Sequence, residues 1–70
     1  MVYFFTKGPA FLRCEIWPGR PHVFTVIEPG GLEHTDRYQS SAQLHDRWEA
    51  VRDQLLAEDW NGPFGRDARA

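Results

Sequence analysis

The sequence predicts an α+β domain in which a four-stranded antiparallel meander is covered on one face by a single C-terminal helix. Four segments before residue 40 are rich in β-branched and aromatic residues and are separated by glycine and proline turns, which is typical of strands. The connections between them are too short for the crossovers that parallel strands need. The 70 residues therefore predict one ββββα domain over residues 1–63, followed by a flexible tail over residues 64–70.

The strands are predicted from side-chain alternation and from the turns that bound them. Their predicted limits are residues 2–6, 11–17, 22–27 and 32–39. The second strand alternates most clearly, with Leu12, Cys14 and Ile16 on one face. Its opposite face carries Phe11, Arg13, Glu15 and Trp17. The third segment is apolar on both faces, which favours a central position, and the fourth is polar, which favours an edge.

The C-terminal part of the chain predicts one amphipathic helix over residues 40–60. Its apolar side chains recur at helical spacing and form a stripe of Leu44, Trp48, Val51 and Leu55. Ser40 followed by Gln43 can form a capping box at the start. Gly62 before a proline suits a left-handed stop at the end. We expect the stripe to pack on the apolar face of the second strand, with Trp48 at its centre.

The charge distribution argues against a surface that grips phosphates along the whole chain. The net charge is −2. Residues 1–40 carry four basic and four acidic side chains, and residues 41–60 carry two basic and five acidic ones. Nucleic-acid-binding proteins usually present a basic patch or stripe instead. The sequence thus predicts a neutral sheet and an acidic helix.

One helix covers only one face of the predicted sheet, and the other face carries aromatic residues. A sheet surface with exposed aromatics is usually functional. Leu56 and Trp60 also lie off the main helical stripe, by about 100° and more. The first interpretation is that these side chains pack locally, complete the core of a homodimer or dock against another protein. The candidate partner surface consists of Phe11, Arg13, Trp17, Arg37, Leu56 and Trp60.

The second interpretation is single-stranded DNA or RNA binding on the same face. Phe11 and Trp17, with one of Tyr3 or Phe5, would then form a platform on which bases stack. Two arginines, at positions 13 and 37, would lie beside it. The balanced charge of the sheet favours a protein partner over nucleic acid.

The predicted order of elements resembles one repeat of the Pur-alpha family and, more distantly, the Whirly proteins. The resemblance covers residues 2–60 and lies in the ββββα order, with a twisted antiparallel sheet closed by one helix. It implies that the sheet face binds single-stranded nucleic acid. It also implies that two ββββα units pair with each other.

The residues that could carry chemistry favour structural roles. Cys14 lies in mid-strand between two apolar residues, so we expect a small buried side chain rather than a nucleophile. The histidines are about a dozen residues apart and match no compact zinc pattern. They are His22, His34 and His45. We therefore expect no catalytic residue, no metal site and no cofactor.

The remaining charged residues predict solvated surfaces. Candidate catalytic carboxylates are present at Glu28, Glu33 and Asp36, but no pattern fixes two of them beside a cleft. On the helix, Glu49 and Arg52 have the spacing of an i,i+3 ion pair. The two adjacent glycines at positions 30 and 31 predict a turn, since the rest of a phosphate-loop pattern is missing.

The expected location is the cytoplasm. The chain has one cysteine, and a lone thiol fits a reducing compartment better than secretion. Its first residues lack the pattern of a signal peptide, and no apolar run approaches the length of a membrane helix. We interpret the chain as a non-enzymatic binding module whose partner is a second copy or another protein, with single-stranded nucleic acid as the alternative and no membrane partner.

Overall fold

The computed structural model describes residues 1–66 and contains one open five-stranded antiparallel sheet with one helix packed on it. The elements are β1 (Val2–Lys7), β2 (Ala10–Trp17), β3 (His22–Ile27), β4 (Glu33–Tyr38), α1 (Ser41–Ala57) and β5 (Asn61–Arg66). The strand order is β4-β3-β2-β1-β5. The α+β class and the meander of the first four strands are therefore confirmed, with β4 at an edge. The prediction omitted β5.

The helix packs on the predicted face through the predicted stripe. Leu44, Trp48 and Leu55 are buried, and Val51 is partly buried against the same core. The apolar face of β2 lies in this core, and so do one side chain each from β1 and β3. The indole of Trp48 stacks on the ring of Tyr3 at 4.7 Å between centroids and contacts two further rings at 6.1 and 6.3 Å. Trp48 is thus the centre of the core, as expected.

The helix begins where the sequence predicts and ends earlier. The Ser40 hydroxyl oxygen accepts a hydrogen bond from the backbone N–H of Gln43 at 3.2 Å. At the other end, Asp59 adopts φ 69°, and Trp60 N–H donates to the Leu55 carbonyl at 3.0 Å. These features form a Schellman motif, so the predicted stop at Gly62 is wrong.

Among residues 1–66, no helix has the length and apolar character needed to cross a bilayer.

The largest difference from the sequence prediction is β5. Residues 64–66, predicted as part of a tail, pair with β1, and Phe64 lies opposite Phe4. Glycines let this strand approach closely. A Cβ at Gly62 would lie 2.8 Å from the Phe4 carbonyl oxygen, and one at Gly65 would collide with the Val2 carbonyl oxygen. Sequence patterns treat Gly-Pro as a strand breaker, but both are tolerated on an edge strand. Residues 67–70 lie outside the described part of the chain.

Candidate interaction surface

The face of the sheet that points away from the helix is identified by register. On β2, the residues between the buried positions face outwards, so Arg13 and Trp17 lie on this open face. Directly paired residues of neighbouring antiparallel strands share a face. Arg13 pairs with Phe4 on one side and Ile27 on the other, and Val23 pairs with Trp17. We call this surface the open face. Its members on β1, β2, β3, β4 and β5 include Val2, Phe4, Thr6, Phe11, Arg13, Glu15, Trp17, Val23, Thr25, Ile27, Glu33, Thr35, Arg37 and Phe64.

Large aromatic side chains are exposed on the open face. Phe11 is 50% exposed, Trp17 43% and Phe64 54%. The rings of Phe4 and Phe11 contact each other, with 5.1 Å between centroids. Together these side chains make an apolar surface at both ends of β2, and a concentration of this kind on one face typically marks an interaction site.

A charged pair lies between the two aromatic ends. The Arg13 guanidinium is 2.9 Å from the Glu15 carboxylate (Nη2 to Oε2). The same carboxylate accepts a hydrogen bond from the Trp17 indole N–H at 3.1 Å. The Arg13 Nε atom is buried and has no hydrogen-bond partner among the described residues. Glu15 thus neutralises Arg13, and the other charged residues of this face whose side chains the structure describes, Glu33 and Arg37, also balance.

The structure brings four of the six predicted surface residues onto one face. They are Phe11, Arg13, Trp17 and Arg37. Phe11 and Trp17 do not form one continuous platform, because six residues along a strand separate them by about 20 Å. The expectation that Tyr3 or Phe5 joins them is wrong, because both rings lie on the covered face against Trp48.

Two aromatic residues of the open face, Phe4 and Phe64, were not predicted from the sequence. The run Tyr3-Phe4-Phe5 is aromatic at every position, so alternation could not reveal which ring faces the helix. The buried stripe of β2 was a usable signal, since register with Leu12 and Cys14 assigns the faces of β1. Phe64 was hidden because its segment was predicted as a tail.

The other two predicted surface residues lie elsewhere. Leu56 is 43% exposed on the helix. Trp60 is partly buried against the core and lines a groove of about 320 Å³ between the helix and the sheet. The rim of that groove carries Glu28 and His34, paired at 2.9 Å. Leu56 and Trp60 therefore do not extend the open face.

Among the residues considered for chemistry, Cys14 is buried and the charged residues of the helix contact near neighbours. Cys14 is fully buried, and the loss of solvation raises the pKa of its thiol to about 12. Within residues 1–66, no three His, Cys, Asp or Glu side chains lie close enough to hold a metal ion. The predicted pair of Glu49 with Arg52 is wrong. Glu49 contacts His45 at 2.9 Å, and Arg52 contacts the adjacent Asp53 at 3.2 Å.

Comparison with known proteins gives no relative. No protein-family model, no curated protein and no solved structure matches the chain. The resemblance to the Pur-alpha and Whirly proteins therefore stays a prediction based on element order. The strand β5, which follows the helix and joins the same sheet, is an addition to that order.

Proposed function

We propose that this chain is a non-enzymatic protein-interaction module and that the open face is its docking surface. The observation that carries the proposal is the exposure of Phe11, Trp17 and Phe64 on one face of the sheet. Exposed aromatic side chains are enriched among the residues that dominate binding energies at protein interfaces. Burying them against a partner would also stabilise a domain whose own core is small.

The charges of the open face support a protein partner. Arg13 is paired with Glu15, and Glu33 accompanies Arg37, so the described side chains of this surface offer no excess of positive charge to a phosphate backbone. A role in binding rather than catalysis is supported by the buried Cys14 thiol, which stays protonated at neutral pH. The same unpaired thiol is the reason for placing the module in a reducing cytoplasm.

Site-specific photo-crosslinking in cells tests the docking surface. A photoreactive phenylalanine derivative replaces Trp17 in one variant and Leu56 in a matched control, because both native side chains are 43% exposed. We expect a discrete protein adduct from position 17 and none from position 56. Adducts from position 56 alone, or from neither position, would overturn the proposal. The adduct's mass separates a second copy of the chain from a different protein.

Single-stranded nucleic acid is the second candidate. Phe4 and Phe11 lie in contact near one end of the open face, with Phe64 opposite Phe4 and Arg13 beside it. Each base stacked on an aromatic ring contributes about 1–3 kcal/mol. A fluorescent oligonucleotide titrated at low and high salt tests this candidate. Binding at low salt that is lost in Phe11→Ser supports it, and no binding at low salt removes it.

A further inference from the structure

We propose that the partner of the open face is a second copy of this chain, stacked so that the two β2 strands run antiparallel across a two-fold axis at Cys14. This inference rests on the proposed function and names the partner and its geometry. The observation behind it is the order of side chains along the open side of β2. These are an aromatic, a cation, an anion and an aromatic: Phe11, Arg13, Glu15 and Trp17.

This order is self-complementary. The two-fold axis lies between the two stacked sheets, perpendicular to β2 and level with Cys14. It exchanges positions 13 and 15, and it also exchanges positions 11 and 17. Arg13 of one copy then faces Glu15 of its partner, and Phe11 of one copy faces Trp17 of its partner. A single axis satisfies both relations, because both pairs are centred on residue 14. Isologous interfaces require this kind of self-complementary patch.

The two arginines and two glutamates near the axis would compensate one another's charges. Arg13 and Glu15 already contact each other at 2.9 Å within one chain. In the pair, each guanidinium would have a carboxylate beside it and another opposite it, so the four charges alternate in sign. Buried ions need such compensation, because each loses its hydration. Arg13 carries further N–H donors beyond the one used by Glu15 of its own chain, and its partner's carboxylate can accept them.

The flanking strands fit the same axis. Phe4 on β1 pairs with Arg13, and Val2 pairs with Glu15, so the operation sets Phe4 over Val2 of the other copy. On β3, Ile27 would lie over Thr25 in the same way. The Thr25 hydroxyl is already in a hydrogen bond with Thr35 at 3.1 Å, so covering it leaves no unsatisfied polar group. The neighbours of the charged centre are thus mainly apolar on both sides.

The small size of the open face favours weak association. Five strands spaced about 4.8 Å apart, with about six residues each, give a face of roughly 20 Å by 20 Å. This footprint is smaller than the ~800 Å² per partner of a standard interface. We therefore expect micromolar self-association, which requires a concentration series from about 1 µM to about 1 mM.

Reciprocal charge reversal tests the geometry. Arg13→Glu and Glu15→Arg should each weaken self-association of the full chain by about a hundredfold, because like charges then face each other across the axis. Mixing the two variants should restore association as a heterodimer, since the two acidic positions of one chain then meet the two basic positions of the other. The double variant Arg13→Glu/Glu15→Arg should associate with itself. Sedimentation equilibrium measures all four samples.

A matched control separates this effect from general charge changes. Arg52 and Asp53 form an exposed pair on the helix at 3.2 Å, and reversing either should leave association unchanged. Far-ultraviolet circular dichroism checks that each variant is folded. A parent chain that stays monomeric to about 1 mM, or a mixture of the two reversed variants that does not associate, would overturn the inference. A cross-link from position 17 to a different protein would then leave the proposed function standing. The absence of any cross-link from position 17 would contradict both the proposed function and this inference.

Discussion

The indole of Trp48 stacks on the phenol ring of Tyr3, with 4.7 Å between centroids and 19° between ring planes. This contact joins the middle of α1 to β1, which precedes it by more than thirty residues in the chain. Because β1 pairs with both β2 and β5, the stacked rings tie the helix to an interior strand of the sheet.

Trp48→Ala should lower the free energy of unfolding by about 3–5 kcal/mol, because it removes the largest side chain from the core. In a domain of 70 residues, this loss leaves the chain unfolded or nearly so. Urea denaturation followed by circular dichroism measures the effect. Leu56→Ala is the control on the same helix, since Leu56 is exposed and should change stability little. A Trp48→Ala melt close to that of the parent would contradict the packing described here.

Gly65→Ala should displace β5 from β1. The added Cβ would collide with the Val2 carbonyl oxygen and the Tyr3 ring, and forcing a methyl group into packed structure costs about 1–3 kcal/mol. Hydrogen exchange of the β1 amides measures the loss of pairing. Gly30→Ala is the matched control, because a Cβ there meets no atom within 4 Å. Equal exchange rates in the two variants would show that β5 tolerates the methyl group.

The Cys14 thiol should make folding stability fall at high pH. Burial raises its pKa from 9.0 to about 12, so the folded state keeps a proton that the unfolded state loses between these values. The contribution of the protonated thiol to the free energy of unfolding is fully present below pH 9. It decreases as pH rises towards 12, by up to about 1.4 kcal/mol per pH unit. Urea unfolding across this range compares the parent with Cys14→Val. Parallel pH dependence in both proteins would contradict the assigned cause.

Ser40→Ala should destabilise the start of the helix. The hydroxyl oxygen accepts the Gln43 N–H at 3.2 Å, and loss of such a cap costs about 0.5–2 kcal/mol. Thermal unfolding measures the difference. Ser41→Ala is the control, because Ser41 is the first helical residue and alanine suits that position. A larger loss in the Ser41 variant would move the cap by one residue.

The candidate surface could be predicted in part. Alternation along β2 placed Phe11, Arg13 and Trp17 on one face, because a strand has a side-chain period of two. The same rule could not resolve the aromatic run of β1, where each position is apolar, so Tyr3 and Phe5 were considered for the wrong face. Register with β2 resolves it: the core positions of β2 pair with Tyr3 and Phe5, which leaves Phe4 outside.

Local sequence determined the first four strands, the start of the helix and its buried stripe, because periodicity, capping and turn preferences act over a few residues. Only the tertiary structure decided the fate of the segment after the helix. Asn61, Gly62 and Pro63 read locally as the end of structure, yet β5 forms because β1 offers it an unpaired edge. Pairing between distant segments leaves no periodic signal in either of them, and this same pairing completes the open face with Phe64.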